Sequence, residues 1–96
     1  MQTQPLTTDL VIGHKLLARA VAVAADAHAA QVRKGTSVPY ISHLLQVAGL
    51  VLEHGGTFEQ AAAGVLHDAA EDTELTIDDV SHEFGRTIAM IVQACT

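Results

Sequence analysis

The chain has 96 residues, enough for one small domain and too few for a second catalytic one. Its formal net charge is -6, from 11 Asp and Glu against 5 Lys and Arg, which disfavours nucleic-acid polymers and anionic membranes as partners. Hydrophobic residues make up 49% of it but aromatics only 3%, so a core must come from Ala, Val and Leu, a composition suited to closely apposed helices.

Leu17, Val21, Ala24 and His28, continuing to Gln31 or Val32, recur at three- or four-residue spacing and predict a first helix from about Asp9 to Val32. Arg33 to Ser42 mixes Gly, Ser, Thr and Pro and reads as a loop. Ser42 is a candidate cap for a second helix whose stripe is Leu44, Val47, Ala48, Val51 and Leu52, ending at Gly55-Gly56. Thr57 with Gln60 has the spacing of a capping box and opens a third helix through Phe58, Ala61, Ala62, Val65, Leu66 and Ala69. Thr76 followed by Ile77-Asp78-Asp79 reads as a cap with an acidic first turn, giving a short helix that stops at Gly85. A last helix runs from Arg86 with Ile88, Ala89, Ile91 and Val92 as its apolar residues. The expected fold is an all-α bundle of about five helices in one domain spanning residues 1–96.

No stretch approaches the roughly 18 apolar residues of a membrane span, and Met1 to Pro5 lacks the basic start and apolar run of a signal peptide. Cys95 is the only cysteine, so no internal disulfide is available, and it is expected to be a buried structural thiol. A cytoplasmic protein is the corresponding expectation.

Chemistry concentrates in His67-Asp68-Ala69-Ala70-Glu71-Asp72, four ionisable residues closing an otherwise Ala-rich helix. Adjacent His and Asp diverge by about 100° on a helix, so they reach one ion only near a helix end or bend and with a third ligand from elsewhere. His43, in the first turn of the preceding helix, is that candidate. Imidazole mixed with carboxylate suits a divalent transition ion, Mn²⁺ first, better than Ca²⁺ or a structural zinc site. Glu71 and Asp72 lie three and four residues beyond Asp68, so at least one returns to the same side and could position a water or move a proton. Arg33-Lys34, two of only five basic residues, sit just before His43 and could hold phosphate oxygens or stack on a base. His14, His54 and His82 read as ordinary structural or surface histidines, while His28 on the apolar face has either a structural or a ligand-supporting place.

Ala27-His28-Ala29-Ala30-Gln31-Val32-Arg33-Lys34, Pro39-Tyr40-Ile41-Ser42-His43, Leu66-His67-Asp68 and Glu71-Asp72-Thr73 occur in one order and rhythm. In this the chain resembles the HD-domain phosphohydrolases, specifically the RelA/SpoT-type guanosine tetraphosphate hydrolases, from about Ala20 to its end. The resemblance implies a helical HD fold that binds Mn²⁺ and hydrolyses the 3′-pyrophosphate of guanosine tetra- or pentaphosphate. It also implies His43, His67 and Asp68 as metal ligands, Glu71 and Asp72 as the catalytic acidic pair, and Arg33 and Lys34 as nucleotide contacts. The chain departs from the family at Leu44, where proline is usual, at Ala29-Ala30, where the second residue is commonly glycine, and at Gly35-Thr36, where Ser-Gly is usual after the lysine. The family's fourth ligand, an aspartate further downstream, has no counterpart here. A C-terminally truncated domain is therefore expected, with weak activity on its own and with Ile88, Ile91 and Val92 seeking cover in a homo-oligomer. The alternatives are a non-catalytic HD-like module that binds metal or nucleotide, and a helical dimerisation domain without chemistry.

Overall fold

The computed structural model describes residues 4–95, with side chains from Asp9 onward. Five α-helices follow one another: α1 (Gln4–Ala27), α2 (Ile41–Glu53), α3 (Phe58–Asp72), α4 (Ile77–Phe84) and α5 (Arg86–Ala94). The expected all-α fold is what forms; among the described residues the only β-type pairing is an isolated antiparallel bridge between Val32 and Pro39. No described helix is long and apolar enough to cross a membrane.

The central element is α3, against which α1, α2 and α5 pack, while α4 packs on α5. Its Ala61, Ala62, Ala63, Val65, Leu66 and Ala69 are buried, a distribution too wide for one stripe and required of a helix with neighbours on several sides. Small side chains let those neighbours approach. A Cβ added at Gly64 would lie 3.1 Å from Val47 Cγ1, so α2 and α3 nearly touch there, and one added at Gly13 would collide with the Phe58 ring. Leu44, Leu66, Val65, Val80 and Val92 are the largest fully buried side chains, each contributing roughly 1.5–3 kcal/mol relative to exposure.

Both threonine caps form as capping boxes: Thr57 Oγ1 accepts from Gln60 N at 3.0 Å, Thr76 Oγ1 accepts from Asp79 N at 3.0 Å, and each reciprocal bond is present. Gly85, at φ 94°, ends α4 and turns the chain into α5 in a conformation that only glycine adopts without strain.

Four expectations need correction. Helix α1 ends at Ala27, not near Val32, because Ala29 N and Gln31 N bond three residues back to Asp26 O and His28 O, after which Val32 pairs with Pro39. Ser42 is not a cap but the second residue of α2; the cap position is Tyr40, without a side-chain cap bond, and Ser42 N donates to Pro39 O. The apolar face of α5 is not left uncovered, since Ile88 and Val92 are buried and Ile91 packs against the core, leaving Met90 outside. Cys95 is exposed, because it is the C-cap residue that closes α5 beyond the buried Val92.

Candidate metal centre

Helices α2 and α3 are joined only by the turn His54 to Thr57, in which Gly55 takes φ 86°, so they run back antiparallel. The first turn of α2 therefore lies beside the last turns of α3. His43 is the third residue of α2, and His67 and Asp68 lie near the end of α3. Two residues 24 or 25 positions apart in the chain are thus brought together by the hairpin alone.

His43 Nε2 lies 3.1 Å from Asp68 Oδ2, His67 Nδ1 lies 3.3 Å from Asp68 Oδ1, and His67 Nε2 lies 3.4 Å from Glu71 Oε2. One donor atom each from His67, Asp68 and Glu71 falls within 4.8 Å of the others. Helix α3 stays regular through this run, so the divergence of neighbouring residues is bridged by side-chain reach and not by a bend. Donors at neighbouring positions on one transition ion are about 3 Å apart, given metal–ligand bonds of roughly 2.0–2.2 Å. The 3.1 Å and 3.3 Å separations at Asp68 fit that requirement, while Glu71 meets the other ring nitrogen of His67 and His43 joins the group through Asp68 alone. The His67 Nε2 atom is also buried without a hydrogen-bond partner, an arrangement that a bound cation would relieve.

Electrostatics point the same way. Glu71 and Asp72 sit at the C-terminal end of α3, where the helix dipole disfavours negative charge, and the last turn holds no basic residue. Among the described residues neither is paired with Lys or Arg; the single Arg–carboxylate pair is the exposed Arg19–Glu83 contact. A concentration of carboxylates at a helix C-terminus without a protein cation suits an external one.

The two acidic candidates are separated by the fold. Glu71 faces His67, whereas Asp72 lines an adjoining cleft with His28, Gln31, Thr73, Leu75 and Asp79. Arg33 and Lys34 line a different groove with Thr36, Val38, Ser42 and Gln46. That loop is a short hairpin held by Arg33 N to Val38 O at 2.9 Å and Tyr40 N to Gln31 O at 3.0 Å. His14 and His54 bond to the carbonyls of Leu10 and Leu50 in their own helices and take no part in the cluster.

Tyr40 is a site residue that spacing and residue type alone do not reveal. Its hydroxyl donates to Asp68 Oδ2 at 2.9 Å, and its ring stacks on His28 at 4.5 Å between centroids. Burial, followed by the hydrogen bond to the Asp68 carboxylate and the charges of Asp68 and Asp72, pushes its hydroxyl up to about 12, so it remains a neutral donor. The available signal was its position three residues before His43, as the only tyrosine of an aromatic-poor chain.

The class that fold and site define is an all-α domain in which a histidine of α2 meets a histidine and two carboxylates near the end of α3. The chain belongs within it to the HD-domain family, whose model matches residues 20–96. It is 43% identical over 83 residues to a probable guanosine-3′,5′-bis(diphosphate) 3′-pyrophosphohydrolase of Synechocystis, covering 86% of this chain and 11% of that protein. It is 36% identical over 101 residues to a probable GTP pyrophosphokinase of Mycobacterium leprae, covering 96% of this chain and 13% of that one. It is 39% identical over 79 residues to the bifunctional (p)ppGpp synthase/hydrolase SpoT of Escherichia coli, covering 82% and 11%. The chain thus spans little more than a tenth of the length of these relatives.

Proposed function

We propose that the chain is the N-terminal, metal-binding portion of an HD-type pyrophosphohydrolase acting on a nucleotide such as guanosine 3′,5′-bis(diphosphate). The observation that supports this reading is the group of donor atoms from His67, Asp68 and Glu71 within 4.8 Å of one another, with His43 Nε2 3.1 Å from Asp68 Oδ2. Membership of the HD family and the printed names of the relatives in Synechocystis and Escherichia coli support the substrate class.

In this reading His43, His67 and Asp68 hold a divalent transition ion, with Mn²⁺ the first choice for a mixed imidazole and carboxylate set. When bound, the ion supplies positive charge that acidifies a water and draws electron density from phosphoryl oxygen. Glu71, on the His67 side, accepts the proton of the attacking water. Asp72 lies on the adjoining cleft and acts on the orientation of the reactants. Arg33 and Lys34 neutralise phosphate oxygens from the loop, the first through its planar fork and the second as a point charge. The water oxygen bonds to phosphorus, the bond from that phosphorus to the ribose oxygen breaks, and the ribose oxygen takes up a proton as pyrophosphate departs.

A cytoplasmic location goes with such a substrate. Self-association is also part of the proposal, but its surface shifts to exposed residues: Met90 on α5 and Leu10, Val11 and Ile12 on α1. The deciding experiment is a Mn²⁺ titration of the 96-residue chain by calorimetry, with Asp68→Ala as control, alongside assay of pyrophosphate release from guanosine tetraphosphate. Saturable binding that Asp68→Ala abolishes is expected. Absence of any Mn²⁺ binding by the unmodified chain would overturn the metal reading.

A further inference from the structure

The element joining the basic loop to the first turn of α2 is a single residue, Tyr40, and its surroundings are built around its ring. His28 stacks on it at 4.5 Å with an interplanar angle of 29°, and His43 meets it tilted at 5.4 Å and 59°. His28 is 4% exposed and anchored through Nδ1, 2.7 Å from Gln31 Oε1, while Gln31 O accepts Tyr40 N at 3.0 Å. Gln31 therefore holds both partners of the stack, one through its side chain and one through its backbone. The bridge between Val32 and Pro39 closes the hairpin immediately above. The Tyr40 ring has little freedom left, and its hydroxyl is delivered to one atom, Asp68 Oδ2.

That atom is the one that also faces His43 Nε2 at 3.1 Å, whereas Oδ1 faces His67 Nδ1 at 3.3 Å. An aspartate near a helix end can turn about its terminal torsion, which is broad and nearly two-fold. A hydrogen bond to one oxygen removes that freedom and sets the carboxylate plane across the space between the two imidazoles. Because the donor is neutral, it does this without lowering the negative charge the carboxylate offers a cation.

We infer that Tyr40, clamped by His28 and Gln31, is a positioning residue that orients the Asp68 carboxylate between His43 and His67 for divalent-metal binding. The inference rests on the metal reading of His43, His67 and Asp68 and adds to it a residue that touches no ion. Partners that orient a ligand in this way commonly matter by about 10-fold to 100-fold in metal affinity when removed.

The test compares the unmodified 96-residue chain with Tyr40→Phe, which deletes the hydroxyl and keeps the stacking ring. Mn²⁺ is titrated by calorimetry, and each metal-free chain is examined by far-ultraviolet circular dichroism and thermal melting. The expected result is Mn²⁺ affinity lower by about 10-fold or more in Tyr40→Phe at unchanged helicity. Affinity within twofold of the unmodified chain would overturn the inference while leaving the metal reading standing; no binding by the unmodified chain would overturn both. A second measurement needs no variant. Tyr40 is the only tyrosine and the chain has no tryptophan, so the near-ultraviolet difference spectrum on adding Mn²⁺ reports on the surroundings of its ring and hydroxyl. A saturable perturbation tracking the calorimetric binding curve is expected, and a flat difference spectrum at saturation would overturn the inference even if Tyr40→Phe failed to fold.

Discussion

At the scale of residues, the acidic pair at the end of α3 separates into two positions. Glu71 lies 3.4 Å from His67 Nε2, and Asp72 points into the cleft lined by His28 and Gln31. Glu71→Gln keeps the size of the side chain but removes its basicity, so hydrolysis by the metal-loaded protein should fall by about 10²-fold or more, as for loss of a general base. Asp72→Asn should cost less. Steady-state rates of pyrophosphate release from both variants check the order. Tyr40 permits a pH prediction. Its hydroxyl, raised from 10.0 to about 12, holds its proton more tightly in the fold than in the unfolded chain. The native state then binds more protons between those two values, so this contribution to stability is whole below about pH 10 and is lost as pH rises towards 12. Ultraviolet titration of the sole tyrosine should show phenolate appearing near pH 12 in the folded chain and near 10 in urea, and coincident midpoints would contradict the burial and hydrogen bond described above.

At the scale of elements, the ends of α3 do different work. Its start is secured by the reciprocal bonds of Thr57 and Gln60, and Thr57→Ala should destabilise the fold by about 1 kcal/mol, measurable by urea denaturation. Its finish is set by Thr73, whose hydroxyl donates to Ala69 O at 2.6 Å and accepts from Leu75 N at 3.2 Å. This stops the helix directly after the ligand-bearing run. The close approach of α1 to the start of α3 depends on Gly13, since any Cβ there meets the Phe58 ring. Gly13→Ala should cost about 1–3 kcal/mol through overpacking, even though alanine is the better helix former, and a stabilised Gly13→Ala variant would show that the two helices separate readily.

At the scale of the whole molecule, a core drawn largely from alanine and valine in a chain of 96 residues leaves a modest margin of stability. Any ion bound to the native state alone adds to it by mass action. At 100 times its dissociation constant Mn²⁺ should stabilise the fold by about 2.7 kcal/mol, raising the melting temperature, and EDTA should reverse the rise. An unchanged melting temperature at that concentration would mean that the cluster of His43, His67 and Asp68 does not hold the ion in the folded chain.

Local chemistry made much of this legible beforehand. The caps Thr57 and Thr76, the stop at Gly85 and the stripes of α2 to α5 are determined by short-range hydrogen bonding and helical period, so they stand in the sequence itself. The candidate ligands were readable too, because their order and spacing resemble a known family. What sequence could not decide depended on contacts made across the chain. Val32 leaves helical geometry because Pro39 pairs with it, and Ile88 and Val92 are buried because α5 folds back on α3. Glu71 and Asp72, adjacent in the chain, part company because successive residues on a helix face different neighbours, and Tyr40 gains its place through a hydroxyl that meets Asp68 28 residues away. Periodicity determines which side of a helix is apolar; only the packed neighbours determine which polar atoms are left facing one another.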